Sequence, residues 1–301
     1  MRCSAIIVTY NSGATIARCL EALLAEDCEI IVVDNASADD SMRITQGFVD
    51  GGRVRLLANS VNRGFAAAVN QGAREASGEV LLILNPDAIA ERGAIAALLA
   101  CIDLFEANAA GGLLLADNGE PARGFTFRTL PSPTALAFEA LLVNRIWPSN
   151  PVNRRNRSLD ADYSRAQQVE QPAGACLALS RETWQKLQGF DEQFFPVWFE
   201  DVDFCKRLRD DGRKIVYCPE ARFRHSGAHS VGRLSFHDKQ VFWYANMMRY
   251  ARKHFSPGQV FLLRCAIAGG MVLRSIAAVF GIRQASLQQS LSAYRAVLRT
   301  L

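Results

Sequence analysis

The stretch IIVTYNSGATIARCLEALLAEDCEIIVVDNAS, residues 6–37, places two short apolar runs on either side of a segment with helical spacing. Strands are predicted at residues 4–9 and 29–34, with a helix at 15–25 between them. A strand, a helix and a second strand in this order form the unit from which parallel sheets are built. The stretch therefore predicts an α/β fold.

The alternation of apolar runs and helical spacing continues to residue 85. Further strands are predicted at 54–58 and 79–85, and further helices at 39–48 and 65–76. In a doubly wound sheet of this kind, ligands bind outside the carboxyl ends of the strands. We therefore expect the polar residues that follow each strand to line a binding site.

Beyond this sheet the pattern changes twice. Residues 128–171 carry four prolines in a polar stretch rich in Asn and Arg, which predicts a long functional loop. The elements predicted to follow are a strand at 173–179, a helix from 181, a helix at 200–209, two short strands near Ile215 and Phe223, and helices from 236 onward. We predict a main domain at 1–234 and a C-terminal helical region at 235–301.

Composition is that of a globular protein and disfavours nucleic acid as a partner. The 301 residues are 50% hydrophobic, which is enough for a full core. The formal net charge is +4 and the cations are dispersed apart from Arg154, Arg155 and Arg157. No secretory signal pattern opens the sequence, so we expect the N-terminus to stay in the cytosol. The eight cysteines form no C-x-x-C pair and are expected to be reduced and buried.

Polar side chains follow the first two predicted strands. Thr9, Tyr10 and Asn11 come at the end of the first strand, and Asp34 ends the second. A carboxylate at this edge can accept a hydrogen bond from the imide N–H of a nucleotide base, and Thr9 and Asn11 can contact the base or the ribose. The alternative is that Asp34 or Ser37 only caps the helix predicted from residue 39.

The segment NRGFAAAVNQG, residues 62–72, begins with a turn before a helix. Gly64 allows a tight turn after Asn62, and the N-terminus of the following helix can face a diphosphate in the cleft. Asn70 lies in mid-helix, where asparagine is unfavourable, which indicates either a polar contact or a solvated face. The sequence has no G-x-G-x-x-G after the first strand and no Walker loop, so neither motif explains this turn.

Candidate metal ligands follow the fourth strand and the last predicted one. In LLILNPDA, residues 81–88, Asn85 and Asp87 emerge at the sheet edge, and an oxygen ligand such as Asp87 can hold Mg²⁺ or Mn²⁺. Asp87 can instead be a turn residue before a helix near residue 91. His225 and His229 in ARFRHSGAHS, residues 221–230, can complete a metal site, contact phosphate or be structural.

Three carboxylates lie close together in GFDEQFFPVWFEDVDFCKRL, residues 189–208. Glu200, Asp201 and Asp203 raise one another's pKa values as like charges, so the cluster needs compensation by solvent, a cation or a substrate. A carboxylate at a helix N-terminus can act as general base for a hydroxyl. Asp203 is expected to pair with Arg207, four residues further along the helix.

A strongly apolar stretch occurs at residues 260–282. Arg264, Arg274 and two adjacent glycines interrupt it, so a membrane span is not favoured. Cations on both sides suit a helix that lies on the surface of an anionic membrane, and the alternative is a pair of helices packed on the main domain. These cations are Arg252, Lys253, Arg283, Arg295 and Arg299.

Together, five segments resemble motifs of the inverting glycosyltransferases of family 2, and of their rhamnosyltransferase-type branch in particular. They are VTYN at 8–11, VVDNAS at 32–37, NRGFA at 62–66, LNPD at 84–87 and GFDEQFFPVWFEDVD at 189–203. The resemblance implies a GT-A fold, the Rossmann-like and mostly parallel sheet of nucleotide-diphospho-sugar transferases, flanked by helices. The C-terminal helices are then an appendage to this catalytic domain.

The resemblance also implies roles for residues on the donor side. Asp34 is implied to bind the base and Asn85 the ribose region. Asp87 is implied to bind a divalent metal, Mg²⁺ or Mn²⁺, that bridges the diphosphate, and His225 corresponds to a histidine that helps bind metal or diphosphate in some members. Many relatives carry an aspartate at the position of Asn85, so the implied metal site has one carboxylate fewer.

On the acceptor side, the resemblance implies that Asp201 is the catalytic base, with Glu200 as its neighbour and a possible contact to the acceptor. Trp198 and Phe199 lie in the segment that an acceptor has to approach, where an aromatic face can stack on a sugar ring. A single displacement by the acceptor hydroxyl inverts the anomeric centre.

The implied reaction moves rhamnose or a related hexose from a nucleotide-diphosphate donor to a glycan or polyprenyl-diphosphate-linked acceptor of a bacterial surface polysaccharide. The implied location is cytoplasmic and peripheral, on the inner face of the plasma membrane. One alternative function is that of a sugar nucleotidyltransferase, which would need a Gly-rich N-terminal loop with a catalytic cation. A catalytically silent nucleotide-sugar-binding protein would have lost Asp87 or Asp201, and both are present.

Overall fold

The computed structural model describes residues 2–49, 51–225, 232, 234–282 and 284–301. The strands in these ranges are β1 (Cys3–Thr9), β2 (Cys28–Asp34), β3 (Val54–Ala58), β4 (Val80–Leu84), β5 (Ala88–Ala90), β6 (Ala109–Leu115), β7 (Phe127–Arg128), β8 (Gln167–Gln168), β9 (Gln171–Pro172), β10 (Cys176–Ser180) and β11 (Ile215–His225). Within the described chain they form a nine-stranded sheet in the order β3-β2-β1-β4-β10-β6-β11-β5, with β8 beside β11, and a separate pair of β7 and β9.

The first half of the large sheet is parallel and the second half is mixed. β3, β2, β1 and β4 all run in one direction, as the alternation of strands and helices predicts. β10 then inserts antiparallel between β4 and β6, β11 runs parallel to β6, and β5 closes the edge antiparallel to β11. The central strands are continuous apolar runs because helices cover both faces of the sheet.

The helices of the described chain form two layers on the sheet and a third layer beyond it. They are α1 (Ile16–Leu24), α2 (Ser41–Val49), α3 (Phe65–Glu75), α4 (Ala94–Phe105), α5 (Pro133–Ala140), α6 (Val143–Ile146), α7 (Pro151–Asn156), α8 (Arg181–Lys186), α9 (Glu200–Asp210), α10 (Phe236–His254), α11 (Pro257–Val279) and α12 (Leu287–Thr300). α1 and α4 pack with Ile7 on one face of the sheet, while α3, α8 and α9 pack with Ile6 on the other.

The strands and helices predicted up to residue 85 are all found, with ends shifted by at most two residues. Two later predictions were wrong. Residues 128–171 contain α5, α6 and α7, because Ser132 and Asn150 cap helices that begin with a proline. The two short strands predicted near Ile215 and Phe223 are one strand, β11, whose pairing with β6 shifts register between residues 218 and 222.

The helices α10, α11 and α12 form the third layer. Buried Met247, Ile267 and Val297, one from each helix, pack with Leu136 of α5 and with Phe194 in the segment before α9. α11 is long and apolar enough to cross a membrane by length and composition, and 28% of its most apolar window is buried in the protein. One face of this helix therefore packs on the domain and the other is open.

The cysteines follow the prediction with one exception. None of the eight, which all lie in the described ranges, forms a disulfide bond; seven are buried, and Cys265 on α11 is exposed. Burial raises the pKa of the Cys19 and Cys176 thiols, which keeps them protonated and unreactive. These side chains act as small apolar residues of the core.

Gly270 of α11 lies against the backbone of α5, and this contact can be tested. A Cβ on Gly270 would overlap the carbonyl oxygen of Ala140, whereas a Cβ on Gly269 would make an ordinary 3.5 Å contact with Leu141. We predict that Gly270→Ala lowers the free energy of unfolding by roughly 1–3 kcal/mol, seen as a lower melting temperature. Gly269→Ala should be neutral or stabilise by up to about 1 kcal/mol, because alanine favours a helix more than glycine does. Equal melting temperatures for the two variants would contradict the packing of α11 on α5.

Candidate active site

Strands of both directions bring the predicted site residues to one edge of the sheet. β1, β2 and β4 run parallel, so Thr9, Asp34 and Asn85 end or follow these strands at the same edge. β10 runs antiparallel to β4, so the loop that precedes β10 also lies at this edge. The N–H of Asn85 donates to the carbonyl of Ala175 in that loop at 3.1 Å. The loop before β10 therefore belongs to the same site.

Thr9 and Asp34 are buried at the ends of β1 and β2. The Thr9 hydroxyl donates to one Asp34 oxygen at 2.8 Å, and the N–H of Ser37 donates to the other at 3.0 Å. Asn11 has a φ of 56°, and its side-chain carbonyl accepts a backbone N–H at 2.8 Å, while Tyr10 is half-buried beside it. Asp34 therefore does cap the following turn.

Asn35 is one of the polar residues that follow a strand, directly after Asp34, and it is buried. Its side-chain amide donates to Asn62 Oδ1 at 2.8 Å, and the same oxygen accepts the N–H of Gly64 at 2.9 Å. Gly64 has a φ of 82°, and a Cβ there would come within 2.8 Å of the Phe195 ring. Asn62 and Gly64 thus build a tight turn against the segment that precedes α9.

Asn70 has the polar contact that its position in mid-helix indicates, but its partner is the protein. It is buried in α3, donates to the Phe190 carbonyl at 2.9 Å and to Glu192 at 2.9 Å, and accepts the N–H of Phe190 at 3.0 Å. Its amide is therefore fully used by the loop before α9. This corrects the prediction that Asn70 binds the nucleotide sugar.

The pairing of β5 with β11 brings two candidate metal ligands together. His225 lies opposite Ala88 in this register, next to Asp87. Both side chains are buried, and Nε2 of His225 lies 3.4 Å from an Asp87 oxygen. The Phe125 ring stacks on the imidazole at 5.2 Å between centroids. His229, the other predicted histidine, lies outside the described residues.

Asp87 and His225 fit a divalent ion, although they provide only two protein ligands. Among the described residues, Nε2 of His225 has no hydrogen-bond partner, since its contact with Asp87 lacks hydrogen-bond geometry. No cluster of three or more His, Cys, Asp or Glu ligands occurs in the described ranges. Mg²⁺ is commonly held by one or two protein ligands together with substrate phosphates and water. The pair can supply the protein share of such a site.

Asp201, the second residue of α9, is held by three donors. The N–H of Gly174 and the side-chain amide of Gln171 donate to one of its oxygens at 2.9 and 3.2 Å, and the N–H of Val202 donates to the other at 2.8 Å. A Cβ on Gly174 would lie only 3.0 Å from that carboxylate, so the close approach depends on glycine. Burial raises the pKa of Asp201, and the two N–H donors and the charge of Arg128 offset only part of the rise.

The pKa values of Glu200 and Asp203, the carboxyl groups near Asp201 in α9, are shifted in opposite directions. Burial and the charge of Asp201 raise the pKa of Glu200 well above its ordinary value. Asp203 is fully buried and lies 2.8 Å from Arg207 Nε and 2.7 Å from His254 Nε2. Burial alone would raise the pKa of Asp203, but the hydrogen bond from His254 and the charge of Arg207 bring it below its ordinary value. The predicted pair of Asp203 with Arg207 is confirmed.

Trp198 and Phe199, the predicted acceptor contacts, have φ values of 80° and 73° just before α9. Phe199 is buried and packs against Trp243 and Tyr250 of α10. A ring buried in this way has no face for a sugar, so Phe199 is a packing residue, which corrects the prediction. Trp198 is half-buried and meets Trp243 edge to face, so part of its ring stays open.

Comparisons with known proteins identify the family. The family model described as glycosyl transferase family 2 matches residues 4–156, and the one described as the N-terminal domain of galactosyltransferase matches residues 157–229. The chain belongs to glycosyltransferase family 2. It is 30% identical over 294 residues to the N-acetylglucosaminyl-diphospho-decaprenol L-rhamnosyltransferase of Mycobacterium tuberculosis, which covers 90% of each chain. It is 25% identical over 257 residues to the rhamnosyltransferase WbbL of Escherichia coli, with 82% of this chain and 92% of WbbL covered.

Solved structures confirm the GT-A fold predicted for this family 2 glycosyltransferase. The mannosyltransferase PcManGT from Pyrobaculum calidifontis, in complex with GDP-Man and Mn²⁺, has a TM-score of 0.56 at 16% identity and covers 99% of this chain and 85% of its own. TarS of S. aureus in complex with UDP-GlcNAc has a TM-score of 0.58 at 16% identity, with 100% of this chain and 83% of that chain covered.

Proposed function

We propose that this family 2 glycosyltransferase moves a hexose, with rhamnose as the first candidate, from a nucleoside diphosphate to a hydroxyl of a polyprenyl-diphosphate-linked or glycan acceptor, with inversion. The observation that carries the proposal is the half-buried Asp201 carboxylate, which three donors hold at the same sheet edge as Asp87 and Asn85. The substrates are supported by the M. tuberculosis relative, whose name specifies rhamnose and a decaprenyl-diphosphate-linked N-acetylglucosamine.

On the donor side, Asp34 accepts the imide N–H of the base, and the Thr9 hydroxyl fixes the orientation of that carboxylate. Tyr10 and Asn11 line the base and ribose, and Asn85 contacts the ribose. Asp87 and His225 would hold Mg²⁺ or Mn²⁺ beside the diphosphate. When bound, such an ion neutralises negative charge on the departing diphosphate. Asn62 and Gly64 shape the turn that faces this region.

On the acceptor side, Asp201 removes the proton from the attacking hydroxyl, which then displaces the nucleoside diphosphate from the anomeric carbon in a single step. The Gly174 N–H and the Gln171 amide keep the carboxylate pointed at the hydroxyl. Glu200 is buried and its pKa is raised, which favours its neutral form and so reduces its repulsion of Asp201. The open part of the Trp198 ring can stack on the acceptor sugar.

An exposed apolar surface on α11 and on the turn after it supports binding of the enzyme to a membrane surface. We name this surface the α11 face; its exposed residues are Phe261, Leu262, Leu273, Ile276, Val279, Phe280 and Ile282. Arg264 on the same helix and Arg295 and Arg299 on α12 are exposed cations. An apolar helix face with cations around it binds the interface of an anionic membrane. We infer that the enzyme lies on the inner surface of the plasma membrane, where a polyprenyl-linked acceptor is presented.

The proposed reaction is tested with a panel of sugar nucleotides that includes TDP-rhamnose, in the presence of Mg²⁺ or Mn²⁺. We expect one donor to be consumed in a cation-dependent reaction, and Asp201→Asn to lower kcat by about 10²- to 10⁴-fold with donor affinity retained, because the base is lost. Asp210→Asn, at the surface end of the same helix where Asp210 pairs with Lys206, is the matched control and should keep full activity.

Two results of this experiment would contradict the proposal. Binding of a sugar nucleotide without turnover on any acceptor would indicate a silent binding protein. Production of a sugar nucleotide from a nucleoside triphosphate and a sugar phosphate would indicate a nucleotidyltransferase.

The raised pKa of Asp201 predicts the pH dependence of transfer. The base must be ionised, so kcat/KM should fall as the pH drops through that raised pKa, which lies above the range of an exposed aspartate. Gln171→Met removes a hydrogen bond that favours the carboxylate, so the acid limb should move to higher pH. Gln168→Met, at an exposed position of β8, is the control and should leave the acid limb of the pH profile at the wild-type pH. A Gln171→Met limb at the wild-type pH or below would argue against Asp201 as the base.

Membrane binding by the α11 face is tested by co-sedimentation with vesicles that contain anionic phosphatidylglycerol. We expect the double variant Phe261→Ser, Phe280→Ser to partition at least about tenfold more weakly, because each phenylalanine loses roughly 1.5–3 kcal/mol of apolar burial. Leu104→Ser on α4 is the control, since Leu104 is as exposed as Phe280, at 80% each, but lies outside this face. Wild-type protein that stays in the supernatant would refute membrane binding.

A further inference from the structure

Two arginine side chains converge on one backbone carbonyl. Nε of Arg128 donates to the carbonyl of Gly124 at 2.7 Å, and Nε of Arg157 approaches the same oxygen at 3.4 Å. Gly124 is buried with a φ of 74°, and a Cβ there would lie 2.9 Å from Arg157 Nε, so glycine leaves room for the second guanidinium. We name Arg128 and Arg157 the arginine pair.

In the described part of the chain, the arginine pair makes no direct contact with a carboxylate. Across the described ranges, neither arginine forms an ion pair, and their terminal nitrogens have no hydrogen-bond acceptor. Arg123 adds a third guanidinium close by, 4.8 Å from the centre of the Tyr163 ring, whose hydroxyl accepts the N–H of Gly124. Guanidiniums held together in this way repel one another unless an anion lies between them.

Arg128 of β7 lies opposite Gln171 of β9, whose side-chain amide donates to Asp201, so the arginine pair lies near this carboxylate. Burial and the charge of Arg157 lower the pKa of Arg128, and the negative charges of Asp201 and the exposed Glu139 act in the opposite direction. In turn, the charge of Arg128 lowers the pKa of Asp201. The carboxylates of Asp201 and Glu139 thus act on Arg128 from a distance, without an ion pair to it among the described residues.

The proposed reaction brings two diphosphates to the site, one on the donor and one on a polyprenyl-linked acceptor. The donor diphosphate is already provided for by Asp87 and His225. The arginine pair binds the carbonyl of Gly124, the residue before Phe125, and the Phe125 ring stacks on His225. Arg157 directly follows α7, and α7 packs on α5, the helix that contacts α11. The pair is therefore connected through α7 and α5 to the helix that bears the α11 face.

We propose that Arg128 and Arg157 bind the diphosphate of a polyprenyl-diphosphate-linked acceptor, and so hold its sugar hydroxyl next to Asp201. Guanidinium groups match phosphate oxygens with paired N–H donors, and such charge-assisted hydrogen bonds are stronger than neutral ones. The proposal deepens the proposed function and rests on it for the class of acceptor.

The test measures two affinities by calorimetry in Mg²⁺ buffer, with geranyl diphosphate as a soluble prenyl diphosphate and with whichever of UDP, TDP and GDP binds best. We expect Arg157→Gln to weaken geranyl diphosphate binding by about tenfold or more, and nucleoside diphosphate binding by less than about twofold. Arg128→Lys keeps the charge but loses the forked donors, and should weaken geranyl diphosphate binding less than Arg157→Gln does. Arg155→Gln, at a neighbouring exposed arginine of α7, is the matched control and should change neither affinity.

Asp87→Asn separates the two sources of diphosphate, because it should weaken only nucleoside diphosphate binding. The proposal is overturned if Arg157→Gln weakens nucleoside diphosphate binding instead, since the pair would then serve the donor. It is also overturned if the wild type does not bind geranyl diphosphate. If geranyl diphosphate binding depends on both arginines but no nucleoside diphosphate binds, the anion site is supported and the proposed transferase reaction fails.

Discussion

The antiparallel pairing of β10 with β4 determines where Asp201 can lie. In a sheet of parallel strands only, every strand reaches the ligand edge with its carboxyl end, and the chain then leaves through a crossover helix. β10 instead begins at that edge, so the loop before it is anchored to Asn85 and presents the N–H of Gly174 and the amide of Gln171. A carboxylate that is partly removed from water needs such donors. The position of Asp201 is therefore a consequence of sheet topology as well as of the helix that carries it.

The C-terminal helices also support α9, in addition to the donors that precede β10. The side-chain amide of Asn246 on α10 donates to the carbonyls of Phe195 and Val197 at 3.1 and 2.9 Å, and His254 at the end of α10 contacts Asp203. The packing of the protein thus crosses the boundary predicted at residue 234. The layer that bears the α11 face is also the layer that positions the segment before α9, so displacement of α10 would move the proposed acceptor side of the site.

The sequence alone predicted those features of the structure that depend on residues close to one another along the chain. The strands and helices up to residue 85 follow from apolar spacing, and the pair of Asp203 with Arg207 is one helical turn long. The helices α5 and α7 were missed because their prolines suggested a loop, although a capping residue before a proline was itself a helix signal. The partner of Asn70 lies 120 residues away, and no local pattern could reveal it. The donors to Asp201 were missed for the same reason, because Gln171 and Gly174 reach it only through the β10 pairing.

Three carboxylates within four residues would repel one another if all were ionised, and the structure resolves this conflict with three different environments. Burial raises the pKa of Glu200 and favours its neutral form, whereas His254 and Arg207 outweigh burial at Asp203, lower its pKa and favour its ionised form. Burial also raises the pKa of Asp201, but the N–H groups of Gly174 and Val202 and the charge of Arg128 act in the opposite direction. Because the three carboxyl groups lie in different environments, they do not have to carry three negative charges side by side.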